Sequence, residues 1–291
     1  MTKAVAPATS KEVAAVGAFD ASMFATGSTG FENVTQKDLM IPRITILQAL
    51  SPQCVEGKPQ YNEKFRPGNY FDTGMNEQYG KTLDFLPVHF TKQYLIWAPR
   101  ESGKGLQGIS DDPNILNDTE KDMNGRDVLP DGNYVVETAQ FFGVNLLNLR
   151  LSYIAMVSTQ LKKSRQLLMF ATSEYIPQAN GEEVQAPLWY RSYKLGTTPE
   201  SNAKGSWAGY TVERSLSIPE MAQIGETDEE KAASARRAKR IYDMVVSFRQ
   251  KIDSGEVKAD TSTLEEEMAG EGSGSGGGSR RRAQSDEGQE M

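Results

Sequence analysis

Hydrophobic and polar positions alternate most clearly over residues 81–97, KTLDFLPVHFTKQYLIW. Leu83, Phe85 and Pro87 take one parity, and Asp84, Leu86 and Val88 the other. That is the two-residue period of a strand. Pro87 has no amide proton for a ladder, so it predicts a bulge or an edge position. Residues 41–50, IPRITILQAL, predict an earlier strand, with Ile44 and Ile46 set against Arg43 and Thr45. Residues 51–74 are rich in Pro and Gly and read as loop with one short strand. Residues 133–149 predict another strand, and residues 151–157, LSYIAMV, a buried one.

The period then changes. Residues 161–170, LKKSRQLLMF, are good helix formers, with Leu161 and Leu168 on one face. Ser158 or Thr159 is placed to cap the first turn. Residues 189–218 predict a strand, a turn and a second strand. Residues 228–252 predict a long helix, capped by Thr227 and led by Asp228, Glu229 and Glu230. Ile241, Val245 and Phe248 share its apolar face. Short connections and many strands favour an elaborated antiparallel barrel or sandwich over an alternating α/β fold. The expected class is therefore mainly β (β-rich α+β), with a mid-chain helix and a long C-terminal helix.

The ends differ from this body. Residues 1–30, rich in Ala, Ser, Thr and Gly, read as a flexible arm. Residues 255–291 read as a disordered Gly/Ser-rich linker and an acidic tip, leaving residues 31–254 as the folding unit. The net charge is −7, but residues 255–291 hold nine acids and four bases, which leaves only −2 on the rest. A near-neutral body can present a basic face, so the acidic total does not exclude nucleic acid as a partner. No apolar run is long enough for a membrane span, and the start has no secretory pattern. Cys54 is the single cysteine, which rules out an intrachain disulfide and fits a reducing cytoplasm.

The inventory argues against an enzyme, and no cofactor or metal is expected. His89 is the only histidine and sits inside a strand pattern, where a structural role is the simpler reading. Gly103-Lys104-Gly105 lacks the spacing of a phosphate loop. Glu120, Asp122, Asn124 and Gly125 echo a calcium loop, but Asp127 stands where that loop wants an apolar residue, so a polar turn is expected.

What the chain does contain is cations interleaved with aromatics. Lys92, Tyr94, Trp97 and Arg100 form one group, followed by Lys104. Trp189, Tyr190, Arg191, Tyr193 and Lys194 form a second. Lys204, Trp207, Tyr210 and Arg214 form a third. Lys162, Lys163 and Arg165 project from the mid-chain helix away from its leucines. Bases stack on aromatic faces and phosphates pair with cations, so a single-strand groove needs this mixture on one surface. On strand spacing, Trp189, Arg191 and Tyr193 would share one face, and Tyr190, Ser192 and Lys194 the other. The competing reading places these aromatics in the core and the cations on a solvated face.

The segments STQLKKSRQ and WYRSYKLGTTPESNAKGSW resemble a group of bacteriophage single-stranded DNA-binding proteins. IPRITILQALSP and LPVHFTKQYLIWAPRESGKGL are similar to the same group, so the resemblance covers roughly residues 40–218. It implies an OB-type barrel that binds single-stranded DNA during phage replication or recombination in the host cytoplasm. It points to Lys162, Lys163, Arg165, Trp189, Tyr193, Lys194, Lys204 and Trp207. Acidic tips of such proteins, which recruit replication proteins, often end in an aromatic residue. This chain ends in Met291, with Arg280, Arg281 and Arg282 before the tip. Two other expectations stand beside this one: a phage structural or assembly protein, and a strand-annealing recombination protein.

Overall fold

A computed structural model describes residues 41–202 and 205–255. The N-terminal arm and the acidic tail lie outside the described residues. The organising element is the 16-residue strand β4, for which three short strands prepare: β1 (Ile44–Ile46), β2 (Tyr70–Asp72) and β3 (Glu77–Gln78). These three form their own antiparallel sheet. β4 (Thr82–Trp97) leads to β5 (Leu106–Ser110), the short β6 (Glu120–Lys121) and β7 (Asp127–Val128), then β8 (Tyr134–Asn145) and β9 (Arg150–Val157). Helix α1 (Leu161–Thr172) follows, then a small ribbon of β10 (Tyr175–Pro177) and β11 (Glu183–Gln185). The hairpin β12 (Arg191–Asn202) and β13 (Gly205–Ser217) leads through the one-turn α2 (Ile218–Met221) to α3 (Asp228–Asp253).

The large sheet runs β13-β12-β4-β8-β7-β6, with β9 on β8 and β5 on β4. β8 pairs with one edge of β4, while β12 and β5 share the other edge. β12 meets Thr82 to Phe85 and β5 meets Tyr94 to Trp97, so the two occupy opposite ends of the same strand.

The bulge expected at Pro87 is present: the β4–β8 register slips between Pro87 and His89. One extra residue reverses which parity faces which side. Leu83 and Phe85 belong to one apolar cluster, whereas Leu95 and Trp97, of the same parity beyond the bulge, belong to another. Gly143 lies opposite Pro87, and a Cβ there would collide with the Leu86 carbonyl and the Phe85 ring. The strands approach too closely at this kink for any side chain.

The sheet curls into an OB-like half-barrel whose opening β1 and β2 span. At one side β1 abuts β9, with the Tyr153 amide donating to the Pro42 carbonyl at 3.0 Å. At the other, Tyr70 Oη donates to the Gly196 carbonyl at 3.1 Å and Thr197 Oγ1 to the Gly68 carbonyl at 2.7 Å. Ile44, Tyr70, Phe85, Phe141, Ile154, Tyr193 and Leu195 fill the interior, with Leu167 and Ala171 of α1 packed against it.

The opposite face of the sheet is covered by α3 through Ala238, Ile241, Val245 and Phe248. Each such burial contributes roughly 1.5–3 kcal/mol for the larger side chains. The Thr227 cap forms as expected, and Glu230 completes a reciprocal capping box. The polar turn at Asp122 also forms, its Oδ1 accepting from the amides of Asn124 and Arg126 at 2.8 Å each. Among the described residues no helix is long and apolar enough to cross a membrane.

Candidate nucleic-acid interface

The joint between β9 and α1 differs from a simple capped helix. Ser158 adopts a left-handed backbone (φ 49°) and opens a 3-10 turn, Ser158–Gln160, that runs straight into α1. The Leu161 amide is already bonded to the Ser158 carbonyl, so neither Ser158 nor Thr159 caps the helix. The turn instead drives Gln160 inward. Its Oε1 accepts from the Tyr210 amide at 2.9 Å, and its Nε2 donates to Glu200 Oε2 at 2.9 Å and to Thr159 Oγ1 at 3.1 Å. Gln48 treats the next part of β13 in the same way: its side chain accepts from the Ala208 amide at 2.8 Å and donates to the Ala208 carbonyl at 3.1 Å. Two glutamine side chains thus replace a partner strand along the outer edge of β13, where unpaired backbone groups would otherwise invite strand addition.

Glu200 is the hub of this region. It lies opposite Trp207 in the hairpin register and accepts the indole N–H at 3.0 Å. Lys162 Nζ stands 4.0 Å from its other oxygen. The carboxylate fits because Gly209 leaves room: a Cβ there would sit 2.5 Å from Glu200 Cδ. A shallow groove results, lined by Thr159, Lys162, Glu200, Ser201, Asn202 and Trp207. On α1, Ser164, Leu167 and Ala171 face inward, so Lys162 and Arg165 are exposed and Lys163 is half-buried. Lys163 and Arg165 form no ion pair among the described residues. Lys204, at the hairpin tip, lies outside the described residues.

The rest of the expected set is dispersed. Tyr94 (3 % exposed), Trp97 (3 %) and Tyr193 (1 %) are core residues, so no base can stack on them. For Trp97 the post-bulge parity of β4 is the cause, since it turns the ring into the cluster beneath α3. Burial, with the Glu174 carboxylate near, pushes the Tyr193 phenol up to about 12. The alternation expected from Trp189 onward also fails. Trp189 and Tyr190 belong to a 3-10 turn, Leu188–Tyr190, and the β12–β13 register shifts between Arg191 and Tyr193. Ser192 and Tyr193 are therefore both buried.

Arg191 is an internal clamp rather than a phosphate contact. It pairs with Glu174 and Glu220 at 2.9 Å each and donates to the Ser215 carbonyl at 2.6 Å. Arg214 pairs with the same Glu174 at 3.3 Å and lies over the Phe170 ring. Lys92 is exposed but bound to Glu137 at 2.8 Å. Lys194, also exposed, stands in register between Asp84 and Glu213. Arg100 begins a 3-10 turn, Arg100–Ser102; its side chain lies outside the described residues. Lys104 is exposed in the β4–β5 loop, at the end of β4 remote from β12. Eight residues of β4, 86–93, separate the two pairings, roughly 30 Å along the strand. The fold therefore brings Lys162 and Trp207 to one groove, with Lys163 and Arg165 on the same helix as Lys162, and leaves Arg100 and Lys104 elsewhere.

A model of the family described as Pam3 phage gp34-like protein matches residues 10–258. The chain belongs to that family. No curated protein and no solved structure matches it.

In this gp34-like chain α3 is where expected, but its cations are not among the contacts expected from the sequence. Its stretch from Lys231 to Lys251 holds seven cations and one acid, Asp243. The signal was legible as a charge count but was masked by the acidic first turn of the same helix. Trp189 is brought to this helix, its ring 5.8 Å from that of Tyr242 in an edge-on contact.

Proposed function

We propose that this gp34-like protein binds single-stranded DNA without sequence preference, through the groove between α1 and the β12–β13 hairpin. One observation carries the reading: Trp207 and Lys162 reach the same Glu200 carboxylate from separate segments, so an aromatic ring and a helix-borne cation flank one groove. Lys162, Lys163 and Arg165 supply phosphate contacts and counterion release, and Trp207 supplies a stacking surface that accepts any base. The resemblance of STQLKKSRQ and of the hairpin segment to phage single-strand binders supports the same reading. The role is binding, not catalysis, in phage DNA replication or recombination inside the host cytoplasm.

A second reading, a phage structural or assembly protein, draws on the burial of Tyr94, Trp97 and Tyr193, which removes three of the expected stacking rings. A titration of intrinsic fluorescence with oligo(dT) separates the two. Single-strand binding quenches Trp207 and weakens with salt, with a slope of about −2 for three neutralised phosphates. Trp207→Phe abolishes the quench. Absence of binding to a labelled oligonucleotide at low salt overturns the proposal. Electron microscopy of the DNA complex distinguishes a simple binder from a strand-annealing protein, which forms rings or filaments.

A further inference from the structure

Apart from Asp243, the acids of α3 stand at its ends. Asp228, Glu229 and Glu230 load the first turn, and Asp253 closes the last. Between them stand Lys231, Arg236, Arg237, Lys239, Arg240, Arg249 and Lys251 against Asp243 alone. Several of these charges are already committed. Lys239 pairs with Asp243, Arg249 pairs with Asp253 at 2.9 Å, and Arg237 donates to the Leu146 carbonyl. Arg236 and Arg240 are exposed and form no ion pair among the described residues.

Spacings of four, seven and four residues put Arg236, Arg240, Ser247 and Lys251 on one face of the helix. That face borders a shallow groove with an apolar floor of Leu151, Met244 and Phe248. Guanidinium groups above an apolar floor suit a polyanion that also carries apolar rings and sugars. They do not suit an isolated inorganic ion, which would have no use for the floor.

We infer that this face of α3 is a second single-strand contact surface, where Arg236 and Arg240 hold phosphates. The inference rests on the proposed single-strand binding and extends it. α1 packs on the interior side of the curled sheet and α3 on the opposite side. A strand that engages both must pass around the edge of the barrel. A short oligonucleotide fills the Trp207 groove alone, whereas a longer one reaches α3 as well.

The test compares wild type with Arg236→Gln/Arg240→Gln, using labelled oligo(dT) of about 8 and about 35 nucleotides, the first within and the second well beyond the roughly 4–16 nucleotides that one barrel covers. Both substituted side chains are exposed, and a melting curve that superimposes on wild type establishes that the fold is kept. For the long oligonucleotide the slope of log K against log salt should flatten by about 1.4, two phosphates at about 0.7 each. For the short one the affinity should stay within about twofold. If wild type binds both lengths and the double variant leaves the long-oligonucleotide slope unchanged, the α3 surface is overturned while the Trp207 groove stands. If wild type binds neither length, the groove reading falls and the α3 inference falls with it.

Discussion

Trp207 donates its indole N–H to Glu200 Oε2 at 3.0 Å across the β12–β13 hairpin, where the two residues are register partners. The bond orients the ring beside α1, and it also places a carboxylate in the groove proposed for phosphate. Glu200→Gln keeps an acceptor for the indole and removes the charge. Oligo(dT) affinity should rise by about three- to tenfold at low salt and by much less at high salt, where screening shortens the reach of the lost repulsion. Anisotropy titrations at two salt concentrations measure this. A fall in affinity would show that Glu200 serves mainly to hold Trp207 in place.

Lys162→Ala/Lys163→Ala/Arg165→Ala removes the cations of α1 without touching its inward residues Ser164, Leu167 and Ala171. The salt slope for oligo(dT) should flatten by about 2. Stability should change by no more than about 0.5 kcal/mol per site, as at other surface positions. A steep loss of melting temperature would mark the segment as structural instead.

Gln160→Leu removes the acceptor used by the Tyr210 amide on the outer edge of β13. Loss of a buried amide's partner costs about 1–3 kcal/mol. In a protein of this size that corresponds to a melting temperature lower by roughly 2–10 °C. Gln48→Leu should act in the same direction through Ala208. Unchanged melting of both variants would mean that the glutamines do not close the edge.

His89 provides a pH signal. Its Nδ1 faces Arg249 Nη1 at 3.3 Å, so it accepts in the neutral tautomer. Burial holds its pKa below the usual histidine value, Arg249 adds to the effect, and Asp253 opposes it. The unfolded chain then binds the proton more readily, so this stabilisation is complete above about pH 6.5 and is lost as pH falls through the depressed folded value. Melting temperature should decline between pH 7 and pH 5 in wild type. His89→Asn should flatten that part of the profile, since the chain has no other histidine. A decline of equal size in the variant would assign it to carboxylates.

The strands and helices were legible wherever the evidence for them is local. The alternation of β4, the bulge at Pro87, the cap at Thr227 and the Ile241, Val245 and Phe248 face of α3 all follow from residues within a few positions of each other. The cationic α1 was legible for the same reason. Membership of a phage family accords with motifs that are contiguous in sequence. Which side of each strand meets solvent was not local. Alternation separates two faces but does not say what covers them, and here α3 covers one and β1, β2 and α1 the other. That is why Trp97 and Tyr193, aromatic and adjacent to cations, became core. The register shift before Tyr193 and the bulge after Pro87 each moved a run of side chains to the other face, through backbone events of a single residue. The grouping of charges was decided at longer range still. Lys104 and Lys162 look equivalent as basic residues in sequence, but β4 holds the loop of one at the end remote from the hairpin beside the other. Arg191 looks like both, yet Glu174 and Glu220 converge on it only after the chain has folded.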